Sequence, residues 1–155
     1  MNLRLTAATA VALAAALSAC STGSTAEGTS SASANEAEAG AFPVTIEHVY
    51  GETTIEQEPE RVVALGWSDP DVVLSLGVVP VGASNNSWGG TEEGSTTWFD
   101  EALAEIDGAE APTRIDDTSS GIAGAVGDIA ELQPDLVLAT NSGMTEAEYQ
   151  KLSKL

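Results

Sequence analysis

The chain has 155 residues, which is room for one domain, and its 24 acidic and 5 basic side chains give a net charge of −19. Such an excess of acid disfavours binding to nucleic acid, whose phosphates need cations, and disfavours attraction to an anionic bilayer. The simplest role of the excess acidic charge is to keep the protein soluble. The single cysteine, Cys20, excludes a disulfide within one chain.

Residues 1–19 have the pattern of a secretory signal peptide. Arg4 stands near the start, an alanine-rich apolar run extends to Leu17, and small residues follow. The alternative is a membrane-anchoring helix. The uncharged run from Leu5 to Ala19 is only 15 residues long, shorter than the roughly 20 residues that a membrane-spanning helix needs.

Cys20 directly follows Leu17-Ser18-Ala19 and precedes a Ser/Thr/Gly-rich stretch. This arrangement resembles the lipobox of bacterial lipoproteins. The resemblance implies that Cys20 is diacylated and becomes the new N-terminus, on the outer face of the bacterial cytoplasmic membrane. Several acyl chains at one residue would give stable anchoring, whereas a single chain is marginal. The alternative is an ordinary signal peptide followed by a free cysteine.

Residues 20–41 are expected to form the lipidated cysteine and a disordered tether. Ser21 to Ala41 contains no aromatic and no large aliphatic residue, so this stretch cannot bury a core. A flexible chain of that length has a mean reach of about 25 Å. A domain carried on it would stay close to the membrane.

Order is predicted to begin near Phe42 with a β-hairpin. Val44 to Tyr50 alternates apolar and polar residues, Gly51-Glu52 suits a turn, and Thr53 to Glu56 suits the return strand. His48 is interpreted as a surface residue because residues 42–155 contain no second His and no Cys that could bind a metal with it.

Arg61 to Gly77 predicts one β-α-β unit with the strand that follows it. Val62 to Leu65 is a short apolar run typical of a strand buried on both faces. Ser68 or Asp69 suits a helix N-cap, Pro70 the first turn and Gly77 the C-terminal end. Val72, Val73, Leu74 and Leu76 are expected to pack back on the strand, and Val78 to Ala83 to form the next strand. Such a unit predicts a parallel sheet.

The remaining elements complete an α/β lobe. In chain order they are a helix over Thr96–Ile106, a strand over Thr113–Ile115, a loop over Asp116–Gly121, a helix over Ile122–Leu132, a buried strand over Asp135–Thr140, and a last helix with Thr145 and Glu148 as its capping box. The predicted fold is a single three-layer lobe, with a short parallel sheet flanked by helices. The β-hairpin, the tether and the signal peptide precede it.

Polar and aromatic side chains follow the predicted strands at their carboxyl ends, where ligands bind in open α/β sheets. They are Trp67, Ser68, Asn85, Asn86, Trp88, Asp116 to Ser119, Asn141 and Ser142. Uncharged hydrogen-bonding groups and indole rings suit binding without chemistry. No catalytic, phosphate-binding or zinc-binding motif accompanies them, so we expect no enzyme activity. For each Trp, core packing is the alternative.

Four segments resemble the N-terminal lobe of the substrate-binding proteins of ABC iron-siderophore (and cobalamin) importers. They read G-E-T-T-I, R-V-V-A-L-G-W-S-D-P-D with L-G-V-V-P-V-G, L-Q-P-D-L-V-L-A, and S-G-M-T-E-A-E-Y-Q-K-L. In that family two lobes joined by a long helix enclose the ligand. The resemblance covers residues 42–155 and implies that Trp67, Ser68, Trp88 and Ser142 face the cleft. Asn86 completes the candidate ligand-binding set.

The same resemblance places Asp71 at the position of the acidic residue that docks on the ABC permease. The family often has Glu there, and Asp is one methylene shorter. The alternative role for Asp71 is that of a first-turn acid favoured by the helix dipole.

The expected function is that of a lipid-anchored, monomeric substrate-binding component of an ABC transporter for ferric siderophore uptake. The iron would be held by the siderophore, with no cofactor or metal site in the protein. The shortage of cations favours a neutral or cationic hydroxamate over an anionic catecholate. Family members are roughly twice as long, so the lobe is expected to be truncated, with the second lobe absent. The alternative is a lobe that binds no ligand and only docks on the permease or is inert.

Overall fold

The computed structural model describes residues 37–116 and 122–155. Their elements, in chain order, are β1 (Val44–His48), β2 (Gly51–Ile55), β3 (Val62–Ala64), α1 (Asp69–Ser75), β4 (Gly82–Ser84), α2 (Thr97–Ala104), β5 (Thr113–Ile115), α3 (Val126–Glu131), β6 (Leu136–Leu138) and α4 (Glu146–Leu152). β1 and β2 pair as an antiparallel hairpin. The other strands form a parallel sheet in the order β5-β4-β3-β6.

The sheet has helices on both faces, which confirms the predicted three-layer architecture. Alternate residues of a strand point to opposite faces. Val62 and Ala64 of β3 pack with Val73 of α1 in one cluster. Val63 and Leu65 belong to a second cluster, which takes side chains from β5, α3, α4 and the turn before α3, namely Ile115, Ile122, Ala125, Ile129 and Leu152.

Helix α1 buries fewer of its apolar side chains than the sequence predicts. Pro70 lies in its first turn, and Gly77 adopts φ 87° just beyond its end, as expected of a glycine that terminates a helix. Val73 and Leu74 are buried, but Val72 is 53% exposed and Leu76 is 62% exposed. The prediction that all four side chains pack on the strand is therefore wrong for Val72 and Leu76, because residues four apart share the outer helix face.

The β-hairpin is confirmed, with its turn two residues earlier than predicted. His48 pairs with Gly51, so the turn is Val49-Tyr50, and Gly51-Glu52 begins the return strand. His48 is half-buried rather than a surface residue. Its ring lies 5.1 Å from the ring of Tyr149, centroid to centroid. The contact comes from α4, a partner that the local pattern did not reveal.

Several elements differ from the prediction in their ends or in their burial. β4 starts at Gly82, after Pro80, which has no N–H for a strand ladder. α3 covers only Val126–Glu131, preceded by a turn in which the Ala125 N–H bonds the Ile122 carbonyl at 3.0 Å. β6 is half-buried rather than buried because it is an edge strand with β3 as its one neighbour in the sheet described here.

The caps of α2 and α4 explain where these helices begin. The Thr96 hydroxyl accepts the Phe99 N–H at the start of α2. At α4 the predicted capping box is present, since Thr145 accepts the Glu148 N–H and Glu148 accepts the Thr145 N–H.

Several predictions concern residues that lie outside the described part of the chain. They are the signal peptide over residues 1–19, the lipidated Cys20, most of the tether over residues 20–41, and the loop residues Asp117 to Gly121. Within residues 37–116 and 122–155, no helix is long and apolar enough to cross a membrane.

Candidate ligand-binding site

The carboxyl ends of the four parallel strands lie along one edge of the sheet, and the loops that follow them carry the predicted site residues. Trp67 and Ser68 follow β3, Asn86 and Trp88 follow β4, and Ser142 follows β6. Asp116 follows β5 directly and accepts a hydrogen bond from the Asn85 side-chain amide at 2.6 Å. That bond joins the loops after β4 and β5.

A shallow concavity lies at these strand ends, and we call it the strand-end pocket. It encloses only about 10 Å³, room for a single water molecule. The loop after β3, the region around β4 and the start of α2 supply its walls, and a cation lies among them. Its lining residues are Trp67, Pro70, Asp71, Ser84, Asn86, Gly94, Ser95, Thr96, Phe99 and Arg114. The pocket is thus a shallow depression rather than a deep cavity.

The two candidate indoles are presented to solvent. Trp67 is 64% exposed and Trp88 is 83% exposed. Trp67 lines the strand-end pocket, whereas Trp88 lies beyond its lining residues. The backbone N–H of Trp88 donates to the side-chain oxygen of Asn86 at 3.3 Å, and this bond fixes the backbone of that loop. Neither indole is committed to the core, so core packing is not the role of these two side chains.

Asp71 lies in the wall of the strand-end pocket and is half-buried. Its carboxylate accepts a hydrogen bond from the Thr96 hydroxyl at 2.5 Å, and Thr96 is the N-cap of α2. Asp71 therefore joins the first turn of α1 to the start of α2. The Asp71 carboxylate is therefore already hydrogen-bonded within the lobe.

Arg114 lines the strand-end pocket but was not among the site residues predicted from the sequence. Its guanidinium lies 5.3 Å from the centroid of the Phe99 ring, at the pocket wall. Burial lowers the pKa of Arg114, and the negative charges of Asp100, Asp71 and Glu93 oppose that shift. Because Arg114 lies within a predicted strand, it was not counted among the residues of the strand-end loops. The available signal was that it is the only Lys or Arg between Arg61 and Lys151.

Ser142 lies in a different cavity from Trp67. This second cavity, here called the hairpin groove, encloses about 570 Å³ between the β1–β2 hairpin and β6. The Ser142 hydroxyl donates to the Ala139 carbonyl at 2.9 Å and accepts the Met144 N–H at 3.2 Å. The structure therefore brings Trp67, Asn86 and Asp71 together but does not bring Ser142, Ser68 or Trp88 into the same pocket.

The hairpin groove is mostly apolar. Tyr50 and Tyr149 stack within it at 5.4 Å between ring centroids, and the Tyr50 hydroxyl donates to the Met144 carbonyl. Leu136, Val137 and Leu138 of β6 form its other wall. In the described residues, no group of three or more His, Cys, Asp or Glu side chains is placed to hold a metal ion.

No protein-family model matches the chain. Among curated proteins, it is 29% identical over 114 residues to YhfQ of Bacillus subtilis strain 168, named as an ABC transporter substrate-binding lipoprotein. That match covers 72% of this chain and 31% of YhfQ. The relatives of this chain are transport binding proteins rather than enzymes.

Two solved structures agree with that relationship. PiaA of Streptococcus pneumoniae, solved in complex with ferrichrome, is 36% identical with a TM-score of 0.63, covering 72% of this chain and 35% of PiaA. A periplasmic solute binding protein of Mycobacterium smegmatis is 38% identical with a TM-score of 0.61, covering 72% and 36%. This chain spans about a third of the length of these relatives. In sequence and in fold the chain is similar to one lobe of the substrate-binding proteins of ABC transporters, among them the iron-uptake protein PiaA.

Proposed function

We propose that the chain is the lipid-anchored substrate-binding component of an ABC transporter for ferric siderophore uptake. The observation that supports this most is the strand-end pocket, which presents the exposed Trp67 indole and the Arg114 guanidinium on a lobe resembling PiaA. An indole offers a flat apolar face, and a guanidinium donates hydrogen bonds to the oxygens of an iron complex. PiaA itself was solved with ferrichrome.

The proposed ligand is a neutral or cationic ferric hydroxamate. Arg114 is surrounded by the negative charges of Asp100, Asp71 and Glu93. One cation facing three carboxylates does not create a positive pocket, so a strongly anionic ferric catecholate would meet net repulsion. The guanidinium still retains its hydrogen-bonding donors for a neutral ligand.

Tryptophan quenching by iron tests this proposal. The full chain is titrated with ferrichrome, and a saturable loss of fluorescence with a midpoint at micromolar concentration is expected. Trp67→Phe should remove most of the quenching because Trp67 lines the pocket. Trp98→Phe is the matched control, since Trp98 lies on α2 outside the lining residues. The iron-free ligand controls for non-specific effects.

Two results would count against the ligand. Absence of saturable quenching by ferrichrome up to high micromolar concentration would exclude ferric hydroxamate binding by this chain. Tighter binding of an anionic ferric catecholate than of ferrichrome would contradict the proposed ligand charge.

The membrane anchor is proposed to be Cys20. Expression in a bacterium with an alkyne analogue of palmitate should label the wild type and leave Cys20→Ser unlabelled, and only the wild type should sediment with membranes. Cys20→Ala serves as a second variant without a nucleophile. Labelling of either variant would show that the acyl chains are attached elsewhere.

The ABC permease is the proposed protein partner, with Asp71 at the docking position. Because Asp71 also bonds Thr96, Asp71→Asn perturbs α2 as well as the docking charge. Thr96→Val removes the same internal bond, together with the cap bond from the Phe99 N–H, but leaves the Asp71 carboxylate. Loss of permease binding in the Asp71 variant alone would support docking through this charge, and equal loss in both would refute it.

A second function remains in competition, namely a lobe that docks on the permease without binding ligand. The observation in its favour is the pocket volume of about 10 Å³, far below the several hundred Å³ of ordinary ligand sites. The ferrichrome titration separates the two functions directly.

A further inference from the structure

Asp69 is a buried carboxylate that lies between two of the strand-end loops. It is 5% exposed. One oxygen accepts the Gly66 N–H at 2.8 Å and the Thr140 N–H at 3.0 Å, and the other accepts the Thr140 hydroxyl. A single side chain in the first turn of α1 thus connects the end of β3 to the end of β6. Hydrogen bonds to an ionised acceptor are among the stronger ones in proteins.

These bonds hold the short loop that carries Trp67. The Leu65 N–H donates to the Leu138 carbonyl at 2.8 Å just before the loop, and the Asp69 N–H donates to the Gly66 carbonyl at 3.2 Å at its end. The loop between them is therefore fastened at both ends, and Trp67 extends from it into solvent. An exposed indole would otherwise be free to move with its backbone.

We propose that Asp69 is the positioning residue that fixes Trp67 at the strand-end pocket, through the carboxylate that binds Gly66 and Thr140 together. Asp69 does not line the pocket and does not touch the ligand in this scheme. It acts by keeping the Trp67 loop in one arrangement before binding, which lowers the ordering cost of the bound state. The effect on ligand affinity rests on the proposed function, but the effect on Trp67 mobility does not.

Glu148 provides a closely matched control. It is also 5% exposed. Its carboxylate accepts the Ala123 N–H at 2.8 Å, the Thr145 N–H at 2.7 Å and the Thr145 hydroxyl at 2.6 Å. The two carboxylates therefore have the same burial and the same kinds of partner, but Glu148 belongs to α4 and makes none of these bonds with the Trp67 loop.

The experiment measures the local motion of Trp67 in the full chain carrying Trp88→Phe and Trp98→Phe, so that Trp67 is the one fluorophore of its kind. Time-resolved anisotropy gives the amplitude of fast indole motion. Asp69→Asn should raise that amplitude by about twofold, because a neutral amide oxygen is a weaker acceptor than a carboxylate for the N–H groups of Gly66 and Thr140. Glu148→Gln should leave it unchanged while losing comparable thermal stability. Equal amplitudes in the two variants would overturn the proposal.

Thr140 supplies a second pair of variants in case Asp69→Asn does not fold. Thr140→Val removes the hydroxyl that bonds Asp69 and keeps the backbone N–H, so a smaller rise in amplitude is expected. Thr140→Ser retains the hydroxyl and should restore the low amplitude. Identical amplitudes in the Val and Ser variants would refute the role of this bond.

A ferrichrome titration of the same variants distinguishes a failure of the positioning role of Asp69 from a failure of the proposed ligand binding. If the reference chain binds, Asp69→Asn should weaken affinity by roughly tenfold, the order of effect that loss of preorganisation produces, and Glu148→Gln should not. Unchanged affinity in Asp69→Asn would contradict the positioning role. If the reference chain shows no quenching, the proposed function fails, and the anisotropy result still decides the role of Asp69.

Discussion

The guanidinium of Arg114 lies over the ring of Phe99, with 5.3 Å between its central carbon and the ring centroid. Phe99 is 1% exposed and belongs to α2, whereas Arg114 is the middle residue of β5. The contact places the side chain of an apolar core residue directly beneath a charged group of the strand-end pocket. The contact between Arg114 and Phe99 therefore belongs both to the core and to the wall of the candidate site.

Phe99→Ala is expected to destabilise the lobe by about 3–5 kcal/mol, because it removes a fully buried aromatic ring and leaves a cavity. Urea denaturation followed by circular dichroism measures the loss. Trp98→Ala is the matched control, since Trp98 is the preceding residue of the same helix but is 47% exposed. It should cost about 1 kcal/mol or less. Similar costs for both variants would mean that α2 does not bury Phe99.

Gly66→Ala should be strongly destabilising, whereas Gly127→Ala should not. A Cβ at Gly66 would overlap the Thr140 carbonyl oxygen and the Asp69 carboxylate, but a Cβ at Gly127 meets no atom within 4 Å. Backbone atoms cannot yield as a flexible side chain can, so a loss above roughly 2 kcal/mol is expected at Gly66. Gly127 lies in α3, where alanine should stabilise by up to about 1 kcal/mol. Thermal melting of the two variants makes the comparison.

Acid should remove the contribution of Glu148 to stability. Hydrogen bonds from the Thr145 side chain and backbone are the main cause that lowers the pKa of Glu148 below its ordinary value of about 4.5. A lowered pKa in the folded state means stability that is present above pH 4.5 and is lost as the pH falls through the folded pKa. The difference in unfolding free energy between wild type and Glu148→Gln should therefore shrink between pH 6 and pH 3.

Urea denaturation of both proteins at each pH isolates this contribution, because the other acidic groups titrate in both. A difference that stays constant across that range, or grows towards acid, would contradict the assignment.

Tyr50→Phe should loosen the β1–β2 hairpin. The Tyr50 hydroxyl donates to the Met144 carbonyl, 94 positions along the chain, and its loss should cost about 1 kcal/mol. Faster amide exchange in β1 and β2 is the expected readout. Tyr149→Phe keeps the ring stacking at 5.4 Å and leaves the Tyr50–Met144 bond intact, so it should alter exchange less. Equal effects would indicate that stacking alone holds the hairpin.

The predictions that proved correct were those that depend on interactions within one short segment of the chain. The capping box at Thr145 and Glu148 depends on residues three apart. The apolar run Val62 to Leu65 has the composition of a strand buried on both faces, and Gly77 has the backbone freedom that a helix end needs. In each case the interacting groups are close in sequence, so their chemistry could be inferred without knowing what lies around them.

The predictions of side-chain burial in β1 and β6 were wrong because they depended on partners distant in the chain. His48 is half-buried because Tyr149 of α4 packs against it. β6 is half-buried because it is an edge strand, and its composition resembles that of an interior strand. Arg114 enters the pocket wall because Phe99, 15 positions earlier, supports it.

By itself, the sequence determined the parallel α/β lobe, its family resemblance and the set of loops that carry polar and indole groups, because periodicity, caps and turns act over a few residues. Only the tertiary structure decided which of those loops share a pocket. It separated Ser142 from Trp67, placed Asp71 against Thr96 and buried Asp69 between Gly66 and Thr140. The physical reason is that strand order and helix packing set the distances between loops, and neither is encoded in the loops themselves.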